Sequence, residues 1–164
     1  MSVLLRTLIA LMAVATASVA YGEWEYTDKK DPFEDTDRSL ISASPGMYEN
    51  DEELVIAATC EFDGLNIRLG HSFMVGDSDE EVRVQMRVDD NEAYGPEYWS
   101  LTSDSEGSWM PMRDVPGMIA QMRTGTRLIF RVVDPADGET LDQAVSLFGF
   151  SEALKRLSCY RNRN

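Results

Sequence analysis

The chain has 164 residues, which is the length of a single domain. It carries 15 Lys and Arg against 29 Asp and Glu, so its formal net charge is -14 at pH 7. This balance argues against nucleic acid and anionic lipid as partners, because both require a basic surface. Hydrophobic residues make up 43% of the sequence, which is enough for a packed core. One His and two Cys exclude a His-rich metal centre and a zinc ribbon.

Residues 1–20 have the pattern of a secretory signal peptide. Arg6 is their only charge, an apolar run follows it, and small residues of the A-x-A type end the segment at 18–20. We expect cleavage after Ala20, which removes one positive charge and leaves residues 21–164 as a single exported domain with a net charge of -15. The alternative is an uncleaved anchor, but the run is shorter than the ~20 apolar residues of a spanning helix. No later segment of the sequence is long and apolar enough to span a bilayer. We therefore expect a periplasmic protein.

Export changes the expectation for the two cysteines, Cys60 and Cys159. In an oxidising compartment a disulfide can form and persist, and two cysteines allow one intramolecular pairing. Such a bridge closes a loop of about 100 residues, for which chain entropy gives roughly 4–5 kcal/mol as an upper value. The alternative is a pair of buried free thiols. A redox-active pair is not indicated, since the sequence has no C-x-x-C motif.

Alternating apolar residues predict strands in the first half of the chain. Two short strands are expected at residues 24–27 and 38–43. A clearer alternation covers residues 54–62, where Cys60 and Phe62 belong to the apolar set that points toward the core. The dipeptide Asp63-Gly64 predicts a hairpin turn into a further strand over residues 65–70.

The second half adds strands and two helices. Residues 82–88 show the cleanest alternation in the chain, with Val and Met on one face and Arg83, Gln85 and Arg87 on the other. Apolar residues recur at helical spacing over 114–123, with Asp114 as the expected N-cap and Gly125 beyond the end. The other predicted elements are strands at 98–102, 126–133 and 140–148, and a helix at 151–157 with Ser151 as N-cap. The predicted fold is one mainly β domain (an antiparallel sheet or sandwich, or a partly open barrel) with two short α-helices.

A family resemblance extends over residues 24 to 159. Its most specific parts are the stretch F-x-F-S-x-A-L-x-x-L-x-C at 148–159 and an R-x-D…W…S segment that begins at Arg87. In this order they resemble the TagO/VasI family of small exported proteobacterial proteins, some of which are associated with type VI secretion. The resemblance implies a periplasmic accessory protein with paired cysteines, and it carries no catalytic residues over to this chain. A second resemblance, to the invasion-associated locus B family, depends on Trp24 and a Cys-bearing strand.

The sequence contains weak candidates for catalytic and metal-binding chemistry. His71 is followed by Ser72, but adjacent strand residues point to opposite faces and no G-x-S-x-G motif presents a serine, so a strand-end histidine is expected. The acidic loop with Asp77, Asp79 and Glu81 is a weak calcium candidate, and a solvated loop is the favoured alternative. We expect no cofactor.

Candidate partner contacts lie next to the clearest strand. Arg83, Arg87 and Asp89 flank it, and they could equally form its solvated face. Among the tryptophans, Trp109 is the surface candidate and Trp99 is expected in the core. The predicted function is that of a non-enzymatic periplasmic accessory or binding protein, associated with type VI secretion in its most specific form. A protein partner is expected, and the overall charge favours a cationic one. The alternatives are an acidic inhibitor of a cationic hydrolase such as lysozyme, or a calcium-binding envelope domain.

Overall fold

The computed structural model describes residues 24–45, 54–71, 81–103, 106–133 and 138–161. These residues form nine strands and three short helices. The strands are β1 (Glu25–Thr27), β2 (Leu40–Ala43), β3 (Leu54–Glu61), β4 (Gly64–His71), β5 (Glu81–Val88), β6 (Tyr94–Leu101), β7 (Gly107–Trp109), β8 (Arg127–Val133) and β9 (Thr140–Ser146). The helices are α1 (Val115–Thr124), α2 (Phe150–Leu154) and α3 (Ser158–Arg161).

All nine strands belong to one antiparallel sheet in the order β1-β2-β3-β4-β7-β6-β5-β8-β9. The sheet is open, but hydrogen bonds join strand β9 at one edge to residues on the other side of the sheet. The Trp24 indole Nε1 donates a buried hydrogen bond of 2.9 Å to the carbonyl oxygen of Ser146 in β9. The backbone N–H of Leu54 donates to the side-chain oxygen of Gln143 in β9 at 3.2 Å. The predicted mainly β, single-domain fold class is confirmed.

The core lies on one face of this sheet, because inward and outward residues alternate along each strand. In β5 the inward residues Val82, Val84, Met86 and Val88 are buried, and the intervening residues are exposed or half-buried. Trp99 is fully buried, as expected from the sequence. The remaining space is filled by one side of α1 and one side of α2, including Met118 and Met122 of α1 and Phe150 and Leu154 of α2.

Strand direction places all three helices at one end of the sheet. The strands β1, β3, β5, β7 and β9 finish at this end, and β2, β4, β6 and β8 begin there. We call it the helix end. The loop at 28–39 between β1 and β2 and the hairpin turn between β3 and β4 also lie there. In the part of the chain that the structure describes, no helix is long and apolar enough to cross a membrane.

The two cysteines form the expected disulfide. Cys60 in β3 is bonded to Cys159 in α3, with 5.6 Å between the two Cα atoms, and the sequence separation is 99 residues. Cys60 is buried on the core face, in agreement with the strand register predicted from the sequence. The bridge therefore fixes the last helix to the end of a central strand.

Two predicted local features were wrong in detail. The second helix begins at Phe150 after Gly149, whose left-handed φ of 83° is easily adopted by glycine. Ser151 is thus not the N-cap, and its hydroxyl instead donates to the carbonyl oxygen of Arg123 in α1. Phe62 does not point to the core, because β3 ends at Glu61 and the turn leaves Phe62 exposed.

Three further details were not anticipated. Strand β7 and helix α3 were missing from the sequence prediction, and both are too short to show a period. Asp114 does precede α1, but its side chain makes no cap hydrogen bond. Its carboxylate accepts instead from the Tyr94 hydroxyl at 2.9 Å, so it joins α1 to strand β6. Burial and this hydrogen bond raise the pKa of Tyr94.

Candidate functional site

The outer face of β5 and β8 carries four exposed arginines, which we call the arginine face: Arg83, Arg87, Arg127 and Arg131. They lie on one side because the residues between them point into the core. In the strand register Arg131 pairs with Gln85, and Arg87 pairs with Ile129. Arg131 is therefore diagonal to Arg83 and Arg87, and Arg127 is diagonal to Arg87. Diagonal neighbours in a sheet lie roughly 7–8 Å apart, within reach of long side chains.

Only one of the four arginines has an ion pair with another described residue. The Arg131 guanidinium donates hydrogen bonds to both carboxylate oxygens of Asp142 in β9. This contact lowers the pKa of the Asp142 carboxyl. Within the described part of the chain Arg83, Arg87 and Arg127 have no ion pair. Since acidic residues outnumber basic ones almost two to one, three such arginines on two adjacent strands are an unusual feature of this surface.

Exposed apolar groups border the arginine face. Ile129 lies among the arginines, Tyr98 pairs with Arg83 in the register, and Phe148 follows the end of β9. A surface cavity of about 390 Å³ is lined by Arg87, Asp89, Asp90, Thr126, Arg127 and Ile129. A second cavity of about 500 Å³ shares Thr126 and Arg127 with it and extends to Phe148. The arginine face therefore combines forked cationic donors with apolar contact area.

Asp89 lies at the end of β5 and has a specific structural setting. Its φ of 49° is left-handed, and its carboxylate accepts hydrogen bonds from the Thr126 hydroxyl at 2.7 Å and from the backbone N–H groups of Thr126 and Arg127 at 2.9 Å each. The Thr126 hydroxyl is the largest cause of the lowered pKa of this carboxyl. Asp89 thus anchors the start of β8, and with it Arg127, whereas its direct contact with a partner stays a prediction.

Trp109 lies on the same outer side of the sheet, two strands away from β5. It is half-buried at the end of β7, where it pairs with Arg68 of β4 and Ser100 of β6. The Arg68 guanidinium lies over the indole, 5.5 Å from the ring centroid, which is a cation–π distance. The structure therefore brings Arg83, Arg87 and Trp109 to one side of the sheet. Their role in binding stays a prediction.

The structure describes His71, but it describes only Glu81 among the candidate residues of the acidic loop. His71 is the last residue of β4, and its Nε2 lies 3.3 Å from the Ser108 hydroxyl. Both side chains are buried, and Ser108 has no exposed surface, so its hydroxyl is shielded from a substrate. Ser72, Asp77 and Asp79 lie outside the described residues, and Glu81 is the exposed first residue of β5.

The described residues also bear on metal binding. They contain no group of three or more His, Cys, Asp or Glu side chains arranged to hold a metal ion. Because most of the acidic loop lies outside those residues, both the weak calcium candidate and the favoured solvated loop stay untested predictions.

The sequence reasoning missed Arg127, Arg131, Ile129 and Phe148. The alternation Leu128, Phe130, Val132 within the predicted strand 126–133 already placed the intervening residues on one side. The missing information was the neighbouring strand. β8 pairs with β5 across a separation of 40 to 50 residues, and no local pattern indicates that pairing.

Comparisons with known proteins identify one family. A family model described as Invasion associated locus B (IalB) protein matches residues 77–158, which is half of the chain. The match covers β5 to α2 and includes the whole arginine face. No curated protein and no solved structure matches the chain.

Proposed function

The chain belongs to the invasion associated locus B family, and we propose that it is a non-enzymatic accessory protein of the bacterial envelope that binds a protein partner through the arginine face. The family model covers the strands that carry this face. The Cys60–Cys159 disulfide is consistent with export, because such bonds persist in oxidising compartments. The observation that carries the proposal is the group of exposed arginines without ion pairs in the described part of an acidic chain.

The partner we propose for this face is an acidic protein segment. A guanidinium presents a planar fork of N–H donors that matches a carboxylate, and Arg131 already binds Asp142 in this way. The exposed Ile129 and Phe148 offer apolar contact beside these charges. The overall charge of -14 favours a cationic partner at long range. At physiological salt, however, exposed charges are screened beyond about 8 Å, so the local arginines dominate a docked contact.

The experiment is a comparative co-purification from the envelope of the native host. We expect the wild-type protein to retain an acidic envelope protein, and the double charge reversal Arg83→Glu/Arg87→Glu to lower its recovery at least about tenfold. The control variant is Arg161→Glu in α3, an exposed residue at which the charge changes in the same way away from the arginine face. Equal recovery with the double variant, or recovery of no envelope protein by the wild type, would contradict the proposal.

A more specific form of the proposal is support of a type VI secretion apparatus. The resemblance of residues 24–159 to the TagO/VasI family supports it. Deletion of the gene should then lower secretion of a type VI substrate into the culture medium, and complementation should restore it. Unchanged secretion in a strain with an active apparatus overturns this form. It leaves the general binding proposal intact, since that proposal is tested separately on the arginine variants.

A further inference from the structure

We infer that the helix end carries a second docking surface, formed by the loop at 28–39 and the turn at 61–63, that accepts a cationic protein partner. We call these segments the phenylalanine loops, because they display Phe33 and Phe62. The two side chains are 94% and 93% exposed, although large apolar side chains are normally buried. This inference does not depend on the proposed function, since it concerns other residues and a partner of opposite charge.

The two loops are joined to each other by backbone and side-chain contacts. Arg38 forms an ion pair with Glu61, and the backbone N–H of Cys60 donates to the carbonyl oxygen of Ser39 at 3.0 Å. The loop and the turn that carry the two phenyl groups are therefore neighbours at the helix end. Exposed aromatic groups that are held in place provide contact area at little cost in conformational entropy on binding.

The backbone at or next to each phenylalanine is also held by local structure. The Asp31 carboxylate accepts from the backbone N–H groups of Phe33 at 2.9 Å and Glu34 at 3.0 Å, which closes the turn that presents Phe33. Phe62 follows Cys60 by two residues, and the disulfide fixes Cys60 to Cys159. Helix α3 makes a further connection, because the Ser158 hydroxyl donates to the Asp37 carboxylate. The surface is therefore pre-organised by long-range links.

The charged residues of the two loops indicate the kind of partner that this surface would bind. The phenylalanine loops contain seven acidic residues: Asp28, Asp31, Glu34, Asp35, Asp37, Glu61 and Asp63. Their three basic residues are Lys29, Lys30 and Arg38, and two of these are paired with carboxylates of the same loops, in Lys30–Asp35 and Arg38–Glu61. The excess of four negative charges within these loops complements a cationic protein surface, and it repels an anionic lipid headgroup.

The test uses a photo-cross-linking residue, p-benzoylphenylalanine, placed at position 33, 62 or 148 in the native host. Phe148 is the matched control, because it is 86% exposed at the same end but lies beside Arg127. We expect positions 33 and 62 to capture the same basic protein, identified by mass spectrometry, and position 148 not to capture it. Capture of phospholipid, of an acidic protein, of a second copy or of nothing at both positions overturns the inference.

The affinity of the purified captured protein provides the second measurement. We expect Phe33→Ala/Phe62→Ala to weaken binding at least about tenfold, and Phe148→Ala to change it less than about twofold. Binding by the wild type should weaken as salt rises from low to physiological concentration. The double variant should keep the wild-type melting temperature, because neither side chain is buried. Equal losses for the double variant and for Phe148→Ala would contradict a specific surface.

Discussion

The arginine face and the phenylalanine loops both combine charge with exposed apolar groups, but they are built in different ways. The arginines lie on regular strands, where alternation with buried residues fixes the side on which each one points. Phe33 lies in a loop that the Ser158–Asp37 hydrogen bond links to α3, and Phe62 lies in the β3–β4 hairpin turn, next to the strand end that the disulfide links to Cys159. The first surface therefore depends on strand pairing alone, and the second also on cross-links between parts of the chain that are far apart in sequence.

The two surfaces also differ in local charge, so the net charge of the chain does not describe either of them. A net charge of -14 indicates an acidic protein, yet the acidic and basic residues are not evenly distributed on its surface. The phenylalanine loops carry more than twice as many acidic as basic residues, whereas the arginine face presents forked donors on adjacent strands. Overall charge governs long-range attraction between molecules, but the chemistry of a docked contact is set within a few ångströms.

Removal of the disulfide should produce the largest difference in behaviour between the two surfaces. For Cys60→Ser/Cys159→Ser we expect the free energy of unfolding to fall by roughly 4 kcal/mol, because the bridge closes a loop of about 100 residues. Urea denaturation measures this loss. At short labelling times, at which local opening dominates over global unfolding, hydrogen exchange followed by mass spectrometry should show faster exchange at residues 28–39 and 61–63, with little change in β5 and β8.

The matched control for the disulfide is Ser158→Ala, which removes only the hydrogen bond to Asp37. We expect a loss of about 1 kcal/mol from this variant, with faster exchange confined to the loop at 28–39. If the cysteine double variant accelerated exchange equally in β5 and β8, the two surfaces would not be independently supported, and the comparison would be wrong.

The sequence predicted the strand-based surface better than the loop-based one, for physical reasons. Alternation in a strand has a period of two that is visible in a single segment, and it placed Arg83 and Arg87 on the outer side of β5. The same rule assigned Phe62 to the core, because nothing in the alternation shows that the strand ends at Glu61. Likewise, Ser151 has the chemistry of an N-cap, but the helix begins one residue before it.

Contacts between residues far apart in the sequence were predicted only where the composition allowed a single pairing. With two cysteines in the chain, one intramolecular bridge was possible, and the structure contains it. The pairing of β5 with β8 had no such restriction, so Arg127 and Arg131 were missed as neighbours of Arg87. The Ser108 hydroxyl beside His71 was missed for the same reason, since thirty-seven residues separate them.

A smaller effect is expected at the edge of the sheet that lies next to the arginine face. Trp24→Phe keeps an aromatic ring but removes the Nε1–H donor to the Ser146 carbonyl oxygen, and a buried acceptor that loses its donor costs about 1–3 kcal/mol. We expect faster amide exchange in β9 and unchanged exchange at residues 61–63. Tyr26→Phe is the control, because the Tyr26 hydroxyl bonds Ser39 on the side of the phenylalanine loops. Identical exchange patterns for the two variants would argue against separate support of the two regions.

The smallest expected effect is on the pH dependence of stability, to which one carboxyl from each surface contributes. Hydrogen bonds from Thr126 lower the pKa of Asp89 beside the arginine face, and backbone hydrogen bonds from Glu34 and Phe33 lower that of Asp31 in the phenylalanine loops. A carboxyl whose pKa is lower in the folded state stabilises the fold above its unfolded value of about 3.9, and this contribution is lost as the pH falls through the folded value. Asp89→Asn and Asp31→Asn should each make stability less dependent on pH below about 4 and leave the direction of the dependence unchanged. Backbone amide shifts followed by NMR as the pH is lowered should then show Asp89→Asn perturbing residues 126–127 and Asp31→Asn perturbing residues 33–34, whereas a shared pattern would mean that the two surfaces are coupled through the sheet.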